Sequence, residues 1–151
     1  MELVDKLLMK INENEMRSIS CILNVINYHM KFYLDQFFSD AINVEIRPYK
    51  ENKNGDTRPT ISIVIGYKGN VCSIEDLSGG EEDRVTLCIF LALNELSNSR
   101  ILFLDESIAS LQSSLSCKII DSLRENVARN KLVVSINHNA EEGLFDKVIT
   151  V

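Results

Sequence analysis

Three short clusters hold residues whose types and spacing could do chemistry. Asp105-Glu106 closes an apolar run, Ile101-Leu102-Phe103-Leu104. Open α/β sheets present their ligands at the carboxyl ends of strands. Neighbouring strand residues point to opposite sides, so two adjacent acids can take two tasks. Asp105 can hold Mg²⁺, directly or through water, as a hard cation prefers. Glu106 can orient and deprotonate an attacking water. Alone, the pair also reads as solvated acids ending a strand. Ser78-Gly79-Gly80 opens a helical pattern. Two glycines let the backbone approach an anion closely, with the N–H groups of the helix start aimed at it. Ser78 adds a hydroxyl donor. Glu81, Glu82 and Asp83 suit the helix dipole but leave the rim acidic, which is odd for a simple anion pocket. His138, in Asn137-His138-Asn139 after the run Leu132–Ile136, could donate to a terminal phosphate or be a surface loop histidine.

Elements must carry these clusters. Apolar residues recur at three- and four-residue steps from Leu3 through Leu7, Leu8, Ile11, Ile19, Ile22, Leu23, Ile26, Met30, Tyr33, Leu34 and Phe37, which predicts a helix from residue 3 to about 38. The stretch Asn12 to Ser18 is almost wholly polar, so the first part reads as an exposed helix or a coiled-coil stub. Asn43–Arg47 alternates as a half-buried strand should, ending at Pro48, with a polar loop over residues 50–59. Thr60–Lys68 and Val71–Ile74 complete an antiparallel meander around Gly69-Asn70. A helix follows from Gly80. Ile101–Asp105, apolar on both faces, reads as a buried parallel strand. A helix over Ser113–Arg129 then leads to strand Leu132–Ile136, a βαβ unit. Lys147–Val151 reads as a last strand. The class is therefore α/β.

The chain has 151 residues, 45% of them hydrophobic and 25% charged, ordinary for one globular domain. A net charge of -6 gives no global pull toward nucleic acid or acidic membranes. No apolar run is long enough to span a bilayer, and Met1–Asp5 lacks the order of a signal peptide. Cys21, Cys72, Cys88 and Cys117 are scattered, without a C-x-x-C pair, as in reduced cytoplasmic or nuclear proteins. Two histidines make a zinc site a poor reading.

The order of the three clusters carries a resemblance. Leu77-Ser78-Gly79-Gly80-Glu81 with Arg84-Val85 resembles the ABC ATPase signature. Ile101–Glu106 resembles a Walker B strand with its catalytic acid. Ala109-Ser110-Leu111-Gln112 falls where the D-loop lies, and His138 where the switch histidine lies. From about residue 19 to the end, the chain looks like the C-terminal half of an SMC-type or SbcC-type head, in which a long coiled coil separates two halves of one ATPase. The resemblance implies a C-terminal lobe of a P-loop ABC-type ATPase head: residues 1–40 a helix at a coiled-coil base, and 41–151 the lobe. It implies ATP and Mg²⁺ as cofactors. Ser78, Gly79 and Gly80 would contact the terminal phosphate of ATP held by an opposing head, and Ser110 would lie at the head–head contact. Asp105 would position Mg²⁺, Glu106 activate water and His138 sense the phosphate. Ser107, Gln112 and Glu82 depart from the residues common at their positions.

No Gly-x4-Gly-Lys-Ser/Thr loop occurs in the chain, so nothing here cradles the β- and γ-phosphates. The resemblance places Leu132–Ile136 between the Walker B and Walker A strands, which leaves an unpaired apolar edge. The expected partners are a Walker A-bearing N-terminal half, from the same gene or a separate chain, and a second head in a nucleotide-dependent dimer. DNA stays open as a ligand of the full assembly; a membrane is not expected. A start at Met1 inside a helix fits an excised piece or a short gene. The alternative is a non-catalytic module that docks on a Walker A-bearing partner.

Overall fold

The computed structural model describes residues 2–51, 57–108, 111, 113–137 and 143–150. Helix α1 spans Glu2–Phe37, 36 residues, or about 54 Å at the α-helical rise. Its two ends differ. Leu23, Ile26, Met30, Tyr33, Leu34 and Phe37 are buried, whereas Leu3, Leu7, Leu8 and Ile11 are exposed along the same periodic stripe. The helix stays intact because neither Gly nor Pro interrupts it.

A three-stranded antiparallel meander follows, β1 (Ile42–Glu51), β2 (Thr57–Tyr67) and β3 (Asn70–Cys72), in the order β1-β2-β3. Pro48 does not end β1 as its missing N–H suggests. The register shifts between Arg47 and Tyr49, and pairing resumes as far as Glu51 with Thr57. A bulge is a place where a strand can hold a proline without losing a ladder bond. The polar loop is correspondingly shorter than expected, and residues 52–56 lie outside the described residues. Strand β3 stops at Cys72 rather than Ile74. Ile74–Asp76 forms a 3₁₀ turn instead, fixed by Asp76, whose carboxylate accepts from Ser73 N at 2.8 Å and Ser73 Oγ at 2.9 Å.

Val44, Ile46 and Ile65 turn inward, in one core with the buried face of α1. Asn27 of α1 takes the place of a neighbouring strand beside β1. Its Nδ2 donates to Ile46 O at 3.0 Å and its Oδ1 accepts from Ile46 N at 2.9 Å. Between β2 and β3, Lys68 at φ 50° and Gly69 at φ 81° make a two-residue turn of the kind that follows strand twist.

Helix α2 spans Gly79–Leu96, and strand β4 spans Ile101–Asp105. Helix α3 covers Ser113–Asn126, three residues shorter than the sequence suggests, and strand β5 covers Leu132–Ile136. β4 and β5 are parallel, in register from Ile101–Leu132 to Asp105–Ile136. This confirms the βαβ unit. The expectation that β4 is buried on both faces fails: Leu102 and Leu104 are buried, but Ile101 is 43% and Phe103 64% exposed. One face joins the core of α1, α2 and α3, and the other is left largely open by the described residues. Residues 147–150 form no strand. A strand exists only through its pairing, and no described backbone pairs with them.

Candidate functional site

Ser78 is the N-cap of α2 and holds an extended backbone, φ -67° and ψ 153°. Glu81, three residues on, closes a capping box. Its Oε2 accepts from Ser78 Oγ at 2.6 Å and from Ser78 N at 3.0 Å. Its Oε1 accepts from the Tyr67 hydroxyl at 2.8 Å, and Lys68 Nζ lies 3.9 Å away. The Ser78 hydroxyl and N–H, followed by the Tyr67 hydroxyl, hold the Glu81 carboxyl down at about 2. Arg84 buttresses the same turn. Its Nε donates to Gly80 O at 2.9 Å and its Nη1 to Phe37 O at 3.3 Å, with the guanidinium 4.4 Å from the centre of the Phe38 ring. The Ser78-Gly79-Gly80 turn is thus tied to the end of α1.

Nothing among the described residues requires glycine at Gly79 or Gly80. Neither has a positive φ, and a Cβ on either would meet no atom within 4 Å. Glycine in a helix costs about 0.5–1 kcal/mol against alanine. The open space lies where the first N–H groups of α2 have no intrahelical partner.

Asp105 and Glu106 sit at the carboxyl end of β4, both exposed. Glu106 N donates to Ile136 O at 3.0 Å, extending the ladder to β5. Glu106 then leaves the strand at φ 49°, a left-handed conformation that costs a non-glycine residue roughly 1–2 kcal/mol. Strand alternation would send the two carboxylates to opposite sides. Instead both residues line one open cleft of about 400 Å³, with Asp83, Thr86, Leu87 and Phe90 of α2, Phe103 of β4 and Ser107. The kink at Glu106 ends the alternation at the residue that needed it. The acids therefore keep distinct backbone settings but share a cleft.

Ser78, Gly79 and Gly80 are not among the described walls of this cleft. His138 and Ser110, with the rest of the D-loop stretch except Leu111, lie outside the described residues. Tyr67, Lys68, Thr86 and Phe90 were not legible as site residues. Tyr67-Lys68-Gly69-Asn70 reads in sequence only as a hairpin turn, and Thr86 and Phe90 only as helix positions.

Among the described residues, no group of three His, Cys, Asp or Glu could hold a metal ion by itself. Asp105, a carboxylate at the open end of β4, fits Mg²⁺, which commonly takes one or two carboxylates and completes its shell with phosphate oxygens and water. The opening at Gly79-Gly80 fits an anion. The four cysteines are free thiols, and burial pushes the Cys88 thiol up, which makes it inert. No helix among the described residues is long and apolar enough to cross a membrane.

No family profile matches the chain. Uncharacterized protein 094L of Invertebrate iridescent virus 3 is 34% identical over 139 residues, covering 92% of this chain and 17% of the viral protein. The SbcC component of the SbcCD nuclease of Lactococcus lactis is 30% identical over 127 residues, covering 80% of this chain and 12% of that protein. The chain thus spans under a fifth of the length of these relatives. An SMC ATPase, solved in a study of ATP-driven dimerization and DNA-stimulated activation, superposes with a TM-score of 0.68 at 17% identity, over 89% of this chain and 81% of its own. The Smc head domain of Pyrococcus furiosus, solved with an extended coiled coil and bound to the C-terminal domain of ScpA, gives a TM-score of 0.66 at 16% identity, over 91% of this chain and 34% of its own. The fold is that of an SMC-type head lobe.

Proposed function

From a chain with the SMC-head fold, we propose one part of a composite ATP-hydrolysing head of an SMC-like or DNA-repair ATPase. The observation that carries this reading is the position of Asp105-Glu106 at the end of a two-stranded parallel sheet with one apolar face open. Acids suited to magnesium and water are present, while a phosphate cradle is absent from the sequence. A Walker A-bearing half, from the same gene or a separate chain, packs against the open face and outer edge. The exposed first turns of α1 continue into a coiled coil. Residues 41–151 are the lobe.

Bound Mg²⁺ would supply the charge that polarises the phosphoanhydride of ATP, and Asp105 would hold the ion, directly or through water. Glu106 accepts a proton from the attacking water and orients it. Its left-handed backbone breaks the strand alternation, and the residue lines the same cleft as Asp105. Ser78, Gly79 and Gly80, which are not among the described walls of the cleft at Asp105 and Glu106, donate to the terminal phosphate bound by an opposing head. Gly79-Gly80, which this chain's own packing does not need, supports contact from outside. Ser110 meets the opposing head and His138 senses the phosphate. ATP-dependent head engagement follows, with DNA as a ligand of the full assembly.

Ser107 and Gln112 favour a second reading, a docking module that hydrolyses nothing. Kinetics of Glu106→Gln in the complemented protein separate the two. The hydrolytic reading expects turnover to fall by at least about a hundredfold, the scale of general-base loss, with Mg-ATP binding retained. Unchanged turnover in that variant would refute the role given to Glu106.

A further inference from the structure

The acidic rim of the signature turn lacks an explanation in a phosphate-binding role. Glu81 lies where an incoming phosphate would meet like charge, and it occupies the very hydroxyl that should greet that phosphate. Ser78 Oγ donates to Glu81 Oε2 at 2.6 Å. While it does so, the serine turns its lone pairs, not its hydrogen, to the outside. Two residues of the β2–β3 turn address both problems. Tyr67 donates its hydroxyl to the other oxygen of Glu81, at 2.8 Å, and the ammonium of Lys68 stands 3.9 Å from that oxygen and 3.7 Å from Asp40. Lys68 also lies 4.5 Å from the centre of the Tyr67 ring. The pair is held from below: Tyr67 meets Phe38 edge-on, ring centres 6.3 Å apart, and Phe38 carries Arg84 on its face.

We propose that Tyr67 and Lys68 are positioning residues for Ser78: they take up the charge of Glu81 from the meander side, so that the serine hydroxyl can leave Glu81 for an anion. This rests on the ATPase reading above and adds to it a named lever outside the signature motif. Glu81 serves two ends. It caps α2 in the empty state, and it resists the anion unless its second oxygen is held. Removing Tyr67 or Lys68 strengthens the grip of Glu81 on Ser78. Replacing Glu81 by glutamine keeps an oxygen that can accept from Ser78 and removes the like charge.

The signs of these effects differ from those of simple structural damage. The test uses the chain complemented by its Walker A half, in a Glu106→Gln background that blocks turnover. Mg-ATP is titrated, and dimer formation is followed by sedimentation velocity. Tyr67→Phe and Lys68→Met should each raise the Mg-ATP concentration for half-maximal dimerisation about three- to tenfold, the scale of one charge-assisted hydrogen bond. Glu81→Gln should lower it. Tyr67→Phe added to Glu81→Gln should change nothing further, because the group it serves is gone. Binding of a fluorescent ATP analogue by undimerised heads should stay the same in all variants, and circular dichroism melting checks that each is folded. If Glu81→Gln weakens dimerisation, or if Tyr67→Phe has no effect in folded protein, the inference is overturned while the ATPase reading stands. If the background protein itself forms no dimers with Mg-ATP, both fall together.

Discussion

The packing around α1 and the packing around the β4–β5 sheet follow different rules in one chain. Met30, Ile65, Val85, Leu91 and Ile119 have no exposed surface at all. These residues come from α1, the meander, α2 and α3, so the elements close on one another. On the sheet, Phe103 is 64% exposed and Leu132 61%, although Leu102 and Leu104 beside them are buried. Large apolar side chains on an open strand face cost solvation in the free chain and offer contact area to something that covers them. The first region closes on itself; the second leaves an apolar face open, which on the proposed reading is half of an interface. The acids at the end of β4 belong to the second.

Truncation at the two places tests this contrast most strongly. Met30→Ala should lower the stability of the chain by about 2–5 kcal/mol in urea unfolding, since it leaves a cavity in closed packing. Phe103→Ala should change it by less than about 0.5 kcal/mol, as at other exposed positions. In the complemented protein Phe103→Ala should weaken association. A large loss from Phe103→Ala in the chain alone would show that this face is already closed.

A second difference concerns the backbone. Glu106 holds a left-handed φ of 49° at the end of a strand in the open region, whereas in the closed region Lys68, at φ 50°, sits in a hairpin turn that calls for that conformation. Glu106→Gly should stabilise the free chain by up to about 1 kcal/mol in the same unfolding experiment, because strain is relieved. A stability gain paired with loss of turnover is the outcome the proposed role of Glu106 predicts.

The smallest effect lies at the Ser78–Glu81 turn. The Glu81 carboxyl is held at about 2, against an ordinary 4.5. A group whose pKa is lower folded than unfolded adds stability above its unfolded value and loses it as pH falls through the folded one. The contribution of Glu81 should thus be whole near pH 6 and drain away between about 4.5 and 2. Carboxyl carbon NMR should find a midpoint near 2 in the wild type and a higher one in Tyr67→Phe; equal midpoints would remove Tyr67 from the turn.

Much of this was legible in sequence where one pattern decided the outcome. The three- and four-residue spacing of Met30, Leu34 and Phe37 gave a helix, and the βαβ unit followed from two short apolar runs around a periodic segment. Alternation along Ile61, Ile63 and Ile65 gave a strand, though only Ile65 is buried. Pattern reading failed where geometry depended on one residue. Pro48 signals a strand end, yet a bulge carries β1 past it. Asp105-Glu106 signals alternation, yet one positive φ brings both to one cleft. Lys147–Val151 has strand composition but no described pairing. Tyr67 was invisible as a site residue because its hydroxyl meets Glu81 only after the meander has folded beside α2.

The most direct test is phosphate release from Mg-ATP, measured on the purified chain alone and then with a Walker A-bearing half supplied. Silence alone and turnover on complementation, lost again with Glu106→Gln, is the predicted result. Robust hydrolysis by the 151 residues unaided would contradict the claim that the ATP cradle must come from elsewhere.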